Sequence, residues 1–509
     1  MNSRLLRRLR LAGIAAIAAC ALLLCWNGVS WALRPGWFLW NDELGNLVWL
    51  LDTPYRAILH VLPLQVYNDR PTGEALERVL YQMFGFDYSR QLACFLCFHF
   101  ANCVLVFLLL RRLGVGLAIG LAGTGLFGSL CTTAITATYI GASFDILCTF
   151  FLLGSILTGL ARTRLCWYSS ALLFLLALRS KEFAIVIPVI LTLLLLNREG
   201  PAPWRHAATT LGKRLWLHYA ILAIFGIRYL SFVPRMRDSM PRQHPYYLDP
   251  SLGTVLRSFA HYTALIFTLE DRGTITTLFL LGLIFIFAGA ALMPERRWIF
   301  CGLAGYFLTL LPAAMLANIR QPLYVYGPQI FLILAICLFL ESLPTALPIP
   351  ESGRWVAVVC IAVALLAGAY AIRTSEYFRL RIGFFRDVRE TCARTARSAA
   401  AQLSGIGTGA RLYIASGNST PWLMTAGPCD YLKLWRRDRT ISCVIMKAEK
   451  DLLELYGRDA GAGGKYFVDY HEDGSLRIRF LTHNGYSPLG KIDVQNHRRI
   501  CRTKSRPSS

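Results

Sequence analysis

The sequence predicts an α-helical polytopic membrane protein of about eleven transmembrane helices, followed by a small extracytoplasmic α/β domain. Three observations lead there. The 509 residues are 55% hydrophobic and only 16% charged, with a mean hydropathy of +0.45, whereas soluble proteins carry about 25% charge. Apolar runs long enough to cross a bilayer, roughly 20 residues each, recur from Leu11 to Arg373, joined by short connections rich in Lys and Arg. After Arg373 the composition turns polar and turn signals appear.

The first run, Leu11–Leu33, follows Arg4, Arg7, Arg8 and Arg10. This resembles a signal peptide, but the run is long and no small-residue cleavage site leads into soluble sequence. It reads as a retained helix with its N-terminus in the cytoplasm. The further spans are Gln91–Leu110, Val115–Tyr139, Phe144–Ala161, Cys166–Leu178, Phe183–Leu196, Leu215–Ser231, Thr274–Met293, Trp298–Ala317, Pro328–Phe339 with its flank to Leu343, and Trp355–Ala371. Threaded this way, five short connections are cytoplasmic. Arg111-Arg112, Arg162 to Arg164, Arg198 to Arg214 and Glu295-Arg296-Arg297 are net basic, as the positive-inside rule requires, while in Glu341 to Arg354 two acids outweigh one arginine, a small exception because acids count little. Joining Cys166–Leu178 and Phe183–Leu196 into one helix would move the later basic loops outside. Two short helices meeting at the polar tip Arg179-Ser180-Lys181-Glu182 fit better, and interrupted helices mark sites in membrane proteins. Part of the long outer loop Ser231 to Gly273, Leu256 to Leu269, reads as a helix lying at the interface.

These residues give a membrane domain over 1–373. Residues 374–497 form the expected α/β domain, with a helix over Phe384–Leu403, strands over Arg411–Ala415 and Ile441–Met446, and a hairpin over Tyr466–Leu481 turning at Asp473-Gly474. Residues 498–509 are a basic, disordered tail. By parity the C-terminal domain is periplasmic or extracellular. Eleven of the fifteen cysteines precede Arg373, mostly as small hydrophobes in apolar runs. Cys392, Cys429, Cys443 and Cys501 follow it, and one or two disulfides fit an oxidising compartment, with a pairing the sequence does not fix. The net charge is +23, and much of the excess Lys and Arg sits in cytoplasmic loops. No aromatic-basic module accompanies it, so nucleic acid is not an expected partner.

The polar clusters fall mostly on the non-cytoplasmic side, which a plain anchor does not need. Asp42 and Glu43, just after the first helix, suit a general base acting on an acceptor hydroxyl. With Asp69 they also suit a divalent ion, the one candidate cofactor, although no specific metal spacing is present. They equally suit the acidic N-terminus of a helix over Leu44 to Leu51. Lys181 sits between short apolar helices, where a charge needs a reason. Pairing with Glu182 or Asp145 is one such reason and anion binding another. Arg70, Arg235, Arg237 and Arg320 are cationic candidates on the same side, each equally readable as a solvated surface residue. His99, alone in an apolar helix, is more simply a packing residue.

The order Tyr67-Asn68-Asp69-Arg70-Pro71, Met83-Phe84-Gly85, His99 with Asn102, Gly141 to Asp145, and Ser180-Lys181-Glu182 resembles the GT-C class of polytopic glycosyltransferases. It is most similar to the protein O-mannosyltransferase branch that carries tetratricopeptide repeats, and to its bacterial relatives. The resemblance covers about Trp40 to Leu196. Arg320 to Pro328, with Tyr324 and Tyr326, is similar to a later Arg-Tyr-x-Tyr-x-Pro element. Two departures stand out: the repeats are absent, and Ser129-Leu130-Cys131 replaces the usual His-Pro. The resemblance implies transfer of a sugar from a polyprenyl-phosphate donor, on the extracytoplasmic face, to a cell-envelope glycan, lipid or protein acceptor. Asp42 would be the base, with Glu43 and Asp69 as further acidic candidates. Arg70, Lys181, Arg235, Arg237, Arg320 and Tyr324 would hold the donor's lipid phosphate. The bacterial inner membrane is the expected location. A lipid or glycan transporter would distribute charge through the midplane and show repeat symmetry, and a non-catalytic envelope scaffold would need none of these acids.

Overall fold

The computed structural model describes residues 42–50, 53–64, 69–199, 204–232, 241–266, 296–346, 401, 408–415, 427–438, 440–446, 465–470 and 476–481. The expected spans Leu11–Leu33, Thr274–Met293 and Trp355–Ala371 lie outside these residues, as does the helix over Phe384–Leu403 but for Ala401. The helices are α1 (Asp42–Leu50), α2 (Tyr55–Ile58), α3 (Pro71–Phe84), α4 (Tyr88–Arg112), α5 (Leu117–Ser129), α6 (Cys131–Ala137), α7 (Ser143–Gly159), α8 (Arg164–Leu178), α9 (Ile187–Glu199), α10 (Trp204–Leu230), α11 (Leu252–Ile266), α12 (Arg296–Ala314) and α13 (Pro328–Ala346). Short 3-10 turns occupy Ile140–Ala142, Glu182–Val186 and Pro322–Val325. Among the described residues three helices are long and apolar enough to cross a membrane, or four if the bent pair α5–α6 is one span.

Two compact units emerge. The first comprises 1–33, 58–76 and 91–382, and the second 34–57, 77–90 and 383–509. In the first unit α7 packs along α8 and α12 along α13. These pairs approach closely because small residues line them. A Cβ at Gly302 would stand 3.0 Å from the backbone of both Phe331 and Ala335, and Ser155 and Ser170 bond across α7 and α8 at 2.9 Å. Close packing over small residues is what associates helices where lipid removes the hydrophobic drive.

The stretch expected as one span, Val115–Tyr139, is instead broken by 57° at Leu130. The extended Leu130 (φ −56°, ψ 138°) interrupts the helix. Beyond the break, Gln329 on α13 accepts from Thr132 at 2.7 Å and donates to Thr133 at 2.5 Å, giving the buried hydroxyls partners outside their own helix. The polar tip behaves as the charge pattern predicts: α8 ends at Leu178, Lys181 is extended, and the chain resumes as a 3-10 turn before α9. The helix expected over Leu256 to Leu269 is found as α11, starting earlier, at Leu252. Thr254, Ser258, Tyr262 and Ile266 are buried while Leu252 and Leu256 are exposed, and residues 267–269 lie outside the described residues.

The second unit contains a four-stranded sheet of order β2-β1-β3-β4, where β1 is Arg411–Ala415, β2 Ser442–Met446, β3 Lys465–Tyr470 and β4 Leu476–Leu481. β1 lies parallel to β2 and β3, and β3 and β4 form an antiparallel pair with Tyr470 opposite Leu476. A parallel neighbour needs a crossover, and helix α14 (Gly427–Arg436) supplies it between β1 and β2. A Cys429–Cys443 disulfide ties α14 to β2. α14 packs on α1, and Phe86 meets Tyr431 at 4.7 Å. Thus segments 34–57 and 77–90, from within the expected membrane domain, pack with the C-terminal region.

Candidate functional site

In the first unit the polar tip gathers three ion pairs. Pro71 opens α3, where its missing N–H is no loss. The first turn of α3 is fixed by Thr72, whose N–H donates to the Arg179 carbonyl at 3.3 Å, and by Gly73, where a Cβ would collide with the Phe144 ring. This placement sends Arg70 to Glu182: its Nη2 reaches Oε1 at 3.1 Å and Oε2 at 3.2 Å. The Arg70 guanidinium also lies 5.3 Å from the Phe144 ring centre. Lys181 donates to both oxygens of Asp145 at 2.5 Å, with its ammonium 5.0 Å from the centre of the Tyr324 ring. Arg179 donates to Asp69 Oδ1 at 2.8 Å. Asp69 is further held by His60 Nε2 and by the Leu64 N–H, both at 2.5 Å.

Burial differs among the pairs. The side chains of Lys181 and Asp145 are 7% and 2% exposed, while those of Arg70 and Glu182 are 14% and 33% exposed. Burial pushes the Glu182 carboxyl up, but Arg70, its own backbone N–H and Lys181 outweigh it and hold it below the usual range. Glu74, buried on the first turn of α3, is the opposite case. Burial raises it to about 7 and Asp69 adds to the rise, against a backbone bond from Arg70 and the charges of His60 and Arg70.

Tyr324 and its turn are anchored from beneath. The Tyr326 hydroxyl bonds His99 Nδ1 at 2.8 Å and accepts from Asn102 Nδ2 at 3.2 Å. His99 is therefore a satisfied buried residue that fixes the Pro322–Val325 turn to α4.

Of the residues singled out in the sequence, the structure brings together Asp69, Arg70, Lys181 and Tyr324. Arg320 is exposed just before the Pro322–Val325 turn. Arg235 and Arg237 lie outside the described residues. Asp42 opens α1 in the second unit, next to Glu43, which is buried at 2% exposure. Among the described residues no three His, Cys, Asp or Glu side chains gather as a metal site, and Asp69 directs its oxygens to His60, Arg179 and Leu64. His60 and Glu74 carry no sequence signal. Glu74 looks like an ordinary acid in a first helical turn, and His60 stands in an apolar loop. Arg179 and Asp145 were visible as charges beside apolar helices, but their partners were not.

The solved structure of ArnT from Cupriavidus metallidurans, in the apo state, resembles this chain with a TM-score of 0.52. The match covers 90% of this chain and 93% of that one, at 14% identity. The two chains share their overall fold. No family model and no curated protein sequence matches it. At this identity the likeness speaks to the fold alone, and the chemistry must be argued from the chain's own residues.

Proposed function

We propose that the protein is a membrane glycosyltransferase of the bacterial inner membrane. It moves a sugar from a polyprenyl-phosphate carrier to a cell-envelope glycan, lipid or protein on the extracytoplasmic face. The observation that carries the reading is the pair of cations Arg70 and Lys181, held within one largely buried ionic cluster beside Tyr324, on a fold like that of ArnT. Buried ionisable groups in a membrane domain are retained for a purpose.

In this mechanism Asp42 accepts the proton of the acceptor hydroxyl, with Glu43 as the neighbouring acid. The acceptor oxygen forms its bond to the sugar as the sugar–phosphate bond breaks, and the electron pair leaves with the lipid phosphate. Arg70 and Lys181, with Arg320, Arg235 and Arg237 in the surrounding loops, stabilise that phosphate charge. Asp69 shapes the site by fixing Arg179 and the loop that carries Arg70. The Cys429–Cys443 disulfide supports an oxidising compartment for the C-terminal region.

The deciding experiment compares envelope glycans by mass spectrometry between cells carrying the wild-type chain and cells carrying Asp42→Asn at equal membrane abundance. A missing sugar with accumulated polyprenyl-phosphate sugar is the expected result. Identical glycans would remove Asp42 as the base, leaving Glu43 or Asp69 in that role or a transporter or scaffold in place of the transferase.

A further inference from the structure

The segment between α2 and Asp69 places four large apolar side chains outward: Leu59, Val61, Leu62 and Leu64, each between 47% and 63% exposed. An isolated exposed leucine needs no explanation, but a contiguous apolar patch on a short loop marks an interaction surface. This loop is also fixed in place. At one end His60 bonds Asp69, and at the other the Leu64 N–H donates to the same carboxylate. Between them the Pro63 carbonyl accepts from Arg228 Nε at 3.0 Å. The apolar side chains are therefore presented by a clamped scaffold rather than a loose turn.

The clamp also says what covers them. Arg228 lies in the last turn of α10, whose final stretch Leu215–Leu230 contains no other Lys, Arg, Asp or Glu. Apart from Arg228 itself and the small Ala223, the exposed side chains on that stretch are large and apolar, at roughly helical spacing: Trp216, Tyr219, Ile224, Ile227 and Leu230. An apolar stripe turned outward is the pattern of a helix that faces lipid, the reverse of a soluble helix. Ile227 and Leu230, at 71% and 69%, are the most exposed of that stripe, and they flank the residue that grips Pro63. The loop patch thus begins where the outward apolar stripe ends.

We infer that residues 59–64 form a membrane-interface wedge, seated among the headgroups and upper acyl chains of the leaflet on Asp69's side. The occupant is glycerophospholipid. The pattern suits it, because apolar side chains insert roughly 5–10 Å into this zone while His60 turns back to the protein. Through the shared Asp69, seating of the wedge also sets the position of Arg179 in the ionic cluster.

The test uses the full chain in nanodiscs of phosphatidylethanolamine and phosphatidylglycerol, with an environment-sensitive fluorescent amino acid replacing Leu62. Intrinsic fluorescence would not serve, since the chain has 12 tryptophans. A nitroxide near the carbonyl end of the acyl chain should quench the probe about twofold more than one near the methyl end, as an interfacial depth requires, and aqueous iodide should quench little. Quenching by iodide alone would place the loop in water and overturn the wedge. Quenching by neither would show that protein covers the patch, in the same chain or a second copy, and would overturn it equally. The same probe at Leu59 gives an independent reading should the Leu62 variant fold poorly, and Ile227 supplies the lipid-contact reference. The readout needs no turnover, so its failure leaves the transferase reading untouched, and failure of that reading leaves the wedge standing.

Discussion

The two units are held together by different means. The first buries charge: three cations and three carboxylates, half of them from distant parts of the sequence, close on one another at the polar tip. The second relies on a small sheet, the apolar residues Leu44, Leu47 and Leu50 of α1, the aromatic contact of Phe86 with Tyr431, and a disulfide. Desolvated ion pairs give little net stability, because their attraction mainly offsets the cost of removing them from water. A disulfide does the reverse, adding stability without any chemistry of its own. The comparison therefore sets the buried cations proposed for the donor phosphate in the first unit against a covalent staple in the second, the unit that also carries the proposed base Asp42.

The contrast is broken most severely at Lys181. Lys181→Met leaves Asp145 buried without its cation, and such a loss costs about 3–5 kcal/mol. Unfolding of the purified protein in detergent should shift accordingly, and Lys181→Met combined with Asp145→Leu should recover most of the loss. Unchanged stability in the single variant would mean that the pair is open to water.

In the second unit the disulfide spans a sequence separation of 14. Opening it by Cys429→Ala with Cys443→Ala should destabilise that unit by about 3 kcal/mol, the loop-closure value for this length. Limited proteolysis reads this directly: cleavage between 408 and 446 should accelerate while α7 and α8 stay protected. Equal acceleration in both units would show that they unfold as one.

Much of this division was legible in the sequence, for identifiable reasons. Hydropathy finds helices such as α4 and α7 because a span needs an unbroken apolar run. The break after Leu178 is marked by four consecutive polar residues. The β1–α14–β2 crossover hides in a region where only the strands carry a pattern. The bend at Leu130 was invisible, since no proline or charge marks it and its support comes from Gln329, about 200 residues away. The ionic cluster was half legible. Asp69, Arg70 and Lys181 stand out as charges in apolar surroundings, but Arg179 lies 110 residues from the carboxylate it holds, and nothing local announces His60 or Glu74.

Glu74 sharpens the comparison through pH. Its folded pKa of about 7 lies above the ordinary 4.5. The folded state therefore binds this proton more tightly than the unfolded state. Stability is full below about pH 4.5 and declines as pH rises through 7, by at most about 3 kcal/mol for this group. Glu74→Gln should flatten that decline between pH 5 and 7 in the first unit's unfolding. An unchanged slope would show the carboxylate to be ionised throughout.

The smallest expected effect falls on Arg70 and Glu182, the most open of the three pairs. Water reaches a third of Glu182, so solvent already screens the attraction, and Glu182→Gln should cost about 1 kcal/mol. Its value lies in what it frees. If Arg70 is held ready for a phosphate, neutralising Glu182 removes the anion that competes for the guanidinium. Added undecaprenyl phosphate should then raise the melting temperature of Glu182→Gln more than that of the wild type, and that of Arg70→Gln least. Equal shifts in all three would make the pair a structural clasp and leave Lys181 as the remaining cation of the cluster for the phosphate.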